Sequence, residues 1–222
     1  MTLILGPVHV CCLLTTPALF LTYIVPRMPW PSHIVAAFDS IPAGGLAGAT
    51  DEAVLYGALN VLLFHFFPPT ELYVVSPQWK KPPQGFTVDF TTVFIVEIAQ
   101  HPVFFIEVKA ASCFSSLSGR ANADEQMRKR FTELIECLAI PSLHGISMLG
   151  PHLSFYTYSK SDNKLHPPCI PSDPVYVNDV APAQRWNTEV MSEEGIRRFT
   201  EVADHVKLMV DQNLRQPKLE SI

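Results

Sequence analysis

From Val103 to Val108 the chain is apolar on both faces of a pleated strand, with Glu107 as the exception. A strand with one wet face alternates polar and apolar residues, so this run belongs at the centre of a sheet covered on both sides. Glu107 and Lys109 then share a face that water does not reach. A buried charge is costly unless it is paired or bound to a metal. The pair therefore points either to a structural ion pair or to a functional site.

The surrounding pattern supplies the covering layers. Thr50 offers an N-cap to a helix over residues 51–66, with Asp51 and Glu52 in its first turn and Pro68-Pro69 as its stop. Strands are expected near Leu72–Ser76, Phe86–Val96 and Pro102–Ala110. After the Ser-rich residues 112–118, Asn122 and Glu125 suggest a capping box for a helix over Ala123–Ala139. Ile146–Leu149 and Leu153–Tyr158 read as a hairpin, and residues 166–185 as irregular. Ser192 caps a last helix whose Ile196, Phe199, Ala203, Val206 and Val210 share a face. Residues 31–50, rich in Pro and Gly, read as a linker into a domain spanning 51–222. The expected class is an α/β domain with a mixed central sheet flanked by helices.

Composition narrows the function. Hydrophobic residues make up 48% of the 222 and charged residues 17%, which excludes a disordered chain or a coiled coil. A net charge of −5 argues against coating nucleic acid by bulk charge, leaving only local basic strips. The five cysteines form no C-x-x-C pair and no zinc spacing, and an intracellular chain, nuclear or cytoplasmic, is favoured. Residues 1–25 lack charge and are long enough to cross a bilayer, but Pro7 and Pro17 interrupt them. The apolar segment 1–30 therefore reads as an anchor, a signal or an arm outside the ancestral domain.

Asp89 gives the Glu107/Lys109 face a further carboxylate if the register allows. With a five-residue connection over Glu97–His101, Asp89 lies opposite Lys109 and diagonal to Glu107. A three-residue connection slides it towards Ala111 on the same face, and a two- or four-residue connection turns it to the other face. Two carboxylates on one face suit a hard cation such as Mg²⁺, and a lysine beside them can orient water or stabilise phosphoryl charge. Alternating charges on a strand also make solvated faces or ion pairs, so spacing alone is a weak signal.

Asp89 with Glu107-Val108-Lys109, in the order helix, three strands, helix, resembles the PD-(D/E)xK nuclease superfamily with its restriction-endonuclease-like fold. The resemblance implies that Asp89 and Glu107 hold Mg²⁺ or Mn²⁺, that Lys109 serves the attacking water, and that Glu52 and Gln126 support the site. It implies hydrolysis of phosphodiester bonds in DNA or RNA. Val88 stands where the family pattern has proline. Ala123-Asp-Glu-Gln-Met-Arg128, Phe104-Phe-Ile-Glu-Val-Lys109 and Leu143-His-Gly-Ile-Ser147 are also similar to a group of fungal proteins carrying this domain. Lys80, Lys81, Arg120 and Arg128 are the candidate contacts to a phosphate backbone. Domains of this fold also occur without activity, as nucleic-acid or protein interaction modules. The histidines show no zinc spacing, and no phosphate-binding glycine loop or serine elbow is present.

Overall fold

The computed structural model describes residues 30–42, 46, 51–77 and 92–215. The N-terminal apolar segment up to residue 29, Thr50, Lys80, Lys81 and Asp89 lie outside the described residues.

The chain is a mixed α/β protein, as expected: one seven-stranded sheet with helices on both faces. Helix α1 (Ser32–Asp39) is followed by a 3-10 turn (Glu52–Leu55) that runs into α2 (Tyr56–Phe66). Strands β1 (Tyr73–Pro77), β2 (Thr92–Ile98) and β3 (His101–Lys109) form an antiparallel meander. Helix α3 (Leu117–Leu134) then crosses over to β4 (Ser142–Leu149), which pairs parallel to β3. Strand β5 (His152–Ser159) returns antiparallel; β6 (Lys164–His166) and β7 (Thr188–Glu189) both add to its outer edge. Helix α4 (Glu193–Val210) closes the chain's described core.

Strand β3 is central, as its composition requires: every residue from Pro102 to Val108 is buried. Its even-numbered face meets α2 and α4, with Phe104 stacked on Phe67 and edge-on to Phe199. Its odd-numbered face meets α3, where Phe105 packs edge-on against Phe131. Gly145, opposite Phe105 on β4, makes room for that ring; a Cβ there would sit 2.6 Å from Phe105 Cζ.

Several boundaries differ from the sequence reading: β4 starts at Ser142 instead of Ile146 and β2 ends at Ile98 instead of Val96, and three helical ones have a clear physical reason. The stretch 31–50 is not all linker, because Ser32–Asp39 is helical with Ile34 and Phe38 buried in the core. Pro31 precedes that helix, where a missing N–H costs nothing, so it starts the element instead of breaking it. Trp30 is buried too, and its Nε1 donates to the Val190 carbonyl at 2.9 Å. Helix α3 begins two turns earlier than the Asn122 signal, because Ser116 Oγ accepts from Gly119 N and caps it. It also stops at Leu134 and tightens into a 3-10 turn over Ile135–Cys137. Before α2, Asp51 does the capping, accepting from Ala53 N. Ser192 caps α4 as expected, accepting from Gly195 N.

The β2–β3 hairpin settles the register by two features acting together. Its turn is only two residues, Ala99-Gln100, which alone would set Glu107 on the opposite face from the odd-numbered residues of β2. The pairing shifts between Val96 and Glu97, where β3 carries one extra residue, and the common face is restored. Val93 thus lies opposite Glu107. Pro102 is the sequence mark of this bulge, since it has no N–H to give to a ladder. Ala99 and Gln100 both have positive φ, 50° and 66°, the geometry that Asn-Gly prefers in such turns. The double substitution Ala99→Asn, Gln100→Gly is expected to raise stability by about 1 kcal/mol, read as a higher urea midpoint at unchanged slope.

Candidate functional site

Glu107 sits on the odd-numbered face of β3, between Val93 on β2 and Ser147 on β4. It is 2% exposed, and among the described residues neither carboxylate oxygen has a hydrogen-bond partner. Arg130 on α3 approaches it, with Nε 4.0 Å from Oε2, a separation too long for a hydrogen bond. Arg130 is also ion-paired to Glu133 one turn on. Burial pushes the Glu107 carboxyl above its ordinary value, against the pull of Arg130 and then Lys109.

Helix α3 brings Gln126, Arg130 and Glu133 to one face by its four- and three-residue spacing. The Gln126 Oε1 atom is buried without a hydrogen-bond partner among the described residues, a further unsatisfied acceptor on this side of the sheet. Lys109 ends β3 half-buried, and its carbonyl accepts from Gly150 N at 3.0 Å. Glu107, Lys109 and Gln126 thus belong to the sheet face covered by α3. Glu52 starts the turn before α2, a helix that packs on the other face through Tyr56 and Phe94.

Two of the basic residues picked from the sequence have partners within the chain. Arg120 is 6% exposed and donates to the carbonyls of Ala181 and Phe114 and to Asp179 Oδ2. Arg128 donates to both oxygens of Asp124 and to the Pro167 carbonyl. Both arginines fasten the irregular stretch 167–187 across α3. The centre of that fastening is Asp124, 5% exposed. It accepts from Arg128 Nε at 2.8 Å, Arg185 Nη1 at 2.7 Å and Tyr156 Oη at 2.8 Å. Trp186, fully buried beneath the strap, places its Nε1 3.3 Å from Ser147 Oγ. Spacing could not reveal this cluster, because Asp124 and Arg185 are 61 residues apart.

Among the described residues no group of three or more His, Cys, Asp or Glu converges as a metal cage. The described half of the expected Mg²⁺ pair nevertheless fits a cation: among the described residues Glu107's two oxygens have no hydrogen-bond partner, and Arg130 comes no closer than 4.0 Å. His144 and His205, which show no zinc spacing in the sequence, meet with His144 Nε2 2.9 Å from His205 Nδ1. Compared with protein-family models, curated proteins and solved structures, the chain matches none of them.

Proposed function

We propose that the chain is a Mg²⁺-dependent nuclease of the PD-(D/E)xK type, with Glu107 and Asp89 holding the cation. The carrying observation is Glu107 itself, a carboxylate in a central strand with both oxygens unpartnered among the described residues. Such a group is tolerated where binding supplies its partners. The order of elements supports the reading: a helix, a three-strand meander, then a helix crossing over to a strand parallel to β3. The register described as far as Thr92 is that of the three-residue connection, which slides Asp89 towards Ala111 on the common face, not of the five-residue one that sets it opposite Lys109.

In this reading a divalent cation would act as a Lewis acid towards a phosphodiester and its attacking water. Lys109, at the half-buried end of β3, would orient that water by hydrogen bonding and carry positive charge to the phosphoryl oxygens. Gln126 would hold the substrate or the water with its amide, and Glu52 would assist from the helix start. Arg130, beside Glu107, would balance its charge while the site is empty.

A second reading, a catalytically silent interaction module, draws on a specific observation. Arg120 and Arg128 are spent on internal partners, leaving less positive charge for a phosphate backbone. The deciding assay is cleavage of plasmid DNA and of single-stranded RNA with Mg²⁺ or Mn²⁺. Activity should appear in the wild type and fall at least about 100-fold in Lys109→Ala and Asp89→Ala, with thermal midpoints little changed. No cleavage of either substrate by the wild type would favour the silent module.

A further inference from the structure

At the outer edge of β5, between the strap and α4, lies a cavity of about 620 Å³. Strand β6 pairs with β5 over Thr157–Ser159 and β7 pairs with it at His152 and Leu153. Among the described residues no strand pairs with the outer edge over residues 154–156, and Ser154 and Phe155 line the cavity there. Helix α4 supplies the facing wall, and the segment just before β7 supplies Gln184 and Asn187. A cavity of this size suits a small organic ligand and is far larger than a lone ion needs.

The charge on its wall selects the ligand. Arg185 is committed to Asp124 and to the Pro168 carbonyl. Glu201, the one carboxylate on the wall among the described residues, is bonded to Arg197. Among the described residues Arg198 makes no direct ion pair, although Glu194 and Glu201 on its own helix act on it: its Nη1 donates to Thr188 Oγ1 at 3.0 Å, and its guanidinium lies 4.0 Å over the Phe155 ring. Burial lowers its pKa from the ordinary value by more than the Glu194 and Glu201 carboxylates raise it. His144 is held neutral, its pKa drawn down to about 4 by burial and then by His205. The wall thus offers one cation without a direct ion-pair partner among the described residues, a flat aromatic surface and several neutral donors and acceptors.

We propose that this cavity binds a small phosphorylated molecule of nucleotide size, with its phosphate on Arg198. Gln184, Asn187 and the histidine pair would meet the rest of the ligand by hydrogen bonds. The site lies two strands from Glu107, at the sheet's edge, and neither Glu107, Lys109, Gln126 nor Arg130 lines it, so it stands or falls separately from the nuclease reading.

Calorimetry on the full chain with adenosine monophosphate, adenosine and inorganic phosphate tests it. The monophosphate is expected to bind at least about ten-fold more tightly than either fragment. Arg198→Gln should weaken it at least about ten-fold. Gln184→Glu should do the same by adding a carboxylate to the wall while leaving the Arg198 packing intact, which covers the case that Arg198→Gln does not fold. Glu107→Gln should bind as the wild type does. The proposal is overturned if adenosine monophosphate fails to bind up to about 10 mM. Inorganic phosphate binding as tightly, Gln184→Glu binding unchanged, or loss of binding in Glu107→Gln would each overturn it as well.

Discussion

Asp124→Ala is expected to lower the stability of the chain by about 3–5 kcal/mol, a fall of about 6–20 °C in thermal midpoint for a protein of this size. Two arginines and a tyrosine converge on this one carboxylate, and all three donors sit in places that water reaches poorly. Truncating the acceptor leaves two guanidinium groups facing each other without compensation, and removal of one partner from a buried pair is the expensive way to break it. Asp124→Asn keeps an acceptor for Tyr156 but cannot neutralise both arginines, so it should fall between wild type and alanine. The strap over residues 167–187 should loosen first, because Arg128 and Arg185 also hold it through the carbonyls of Pro167 and Pro168. Limited proteolysis should therefore cut the alanine variant within the strap before the sheet unfolds. Wild-type resistance in the variant would show that Arg120 and Trp186 anchor the strap unaided.

Glu107→Gln should move stability the other way. Burial raises the Glu107 carboxyl above the ordinary value near 4.5, with Arg130 and Lys109 opposing. Between that ordinary value and the raised one, the native state binds more protons than the unfolded chain, so stability falls as pH rises through the window. Glutamine carries no charge to desolvate. The variant is expected to be more stable than wild type by about 1–3 kcal/mol above the window. Below the ordinary carboxylate value the advantage should vanish, because both states of the wild type are then protonated. Urea unfolding at the two pH extremes reads this directly. Adding Mg²⁺ should stabilise the wild type and leave the variant unmoved. A variant less stable than wild type at neutral pH would instead mark Glu107 and Arg130 as a structural ion pair.

How far these features could be read beforehand depended on how local their causes are. The burial of β3 was legible because every neighbour of Glu107 in the chain states it. The start of α4 was legible from Ser192, whose cap acts over three residues. Helix α1 was hidden by Pro31, which looks like a breaker until the chain is seen to turn helical just after it. The roles of Arg120 and Arg128 depended on Asp179 and Pro167, far along the chain, and a basic residue gives no sign of where its partner lies. The cavity at β5 was beyond reach for the same reason, since His144 and His205 are 61 residues apart.

The two-residue turn and the bulge of the β2–β3 hairpin also set what changes of length this gene could survive there. Each alone would turn one strand over relative to the other, and only their combination keeps Phe105 and Glu107 where α3 can cover them. A single inserted or deleted codon at either place would carry the apolar residues of one strand to the wrong layer. Paired changes, one at the turn and one at the bulge, would leave the layers intact. Divergent copies of this hairpin should therefore differ in length by even steps, or by two odd steps taken together.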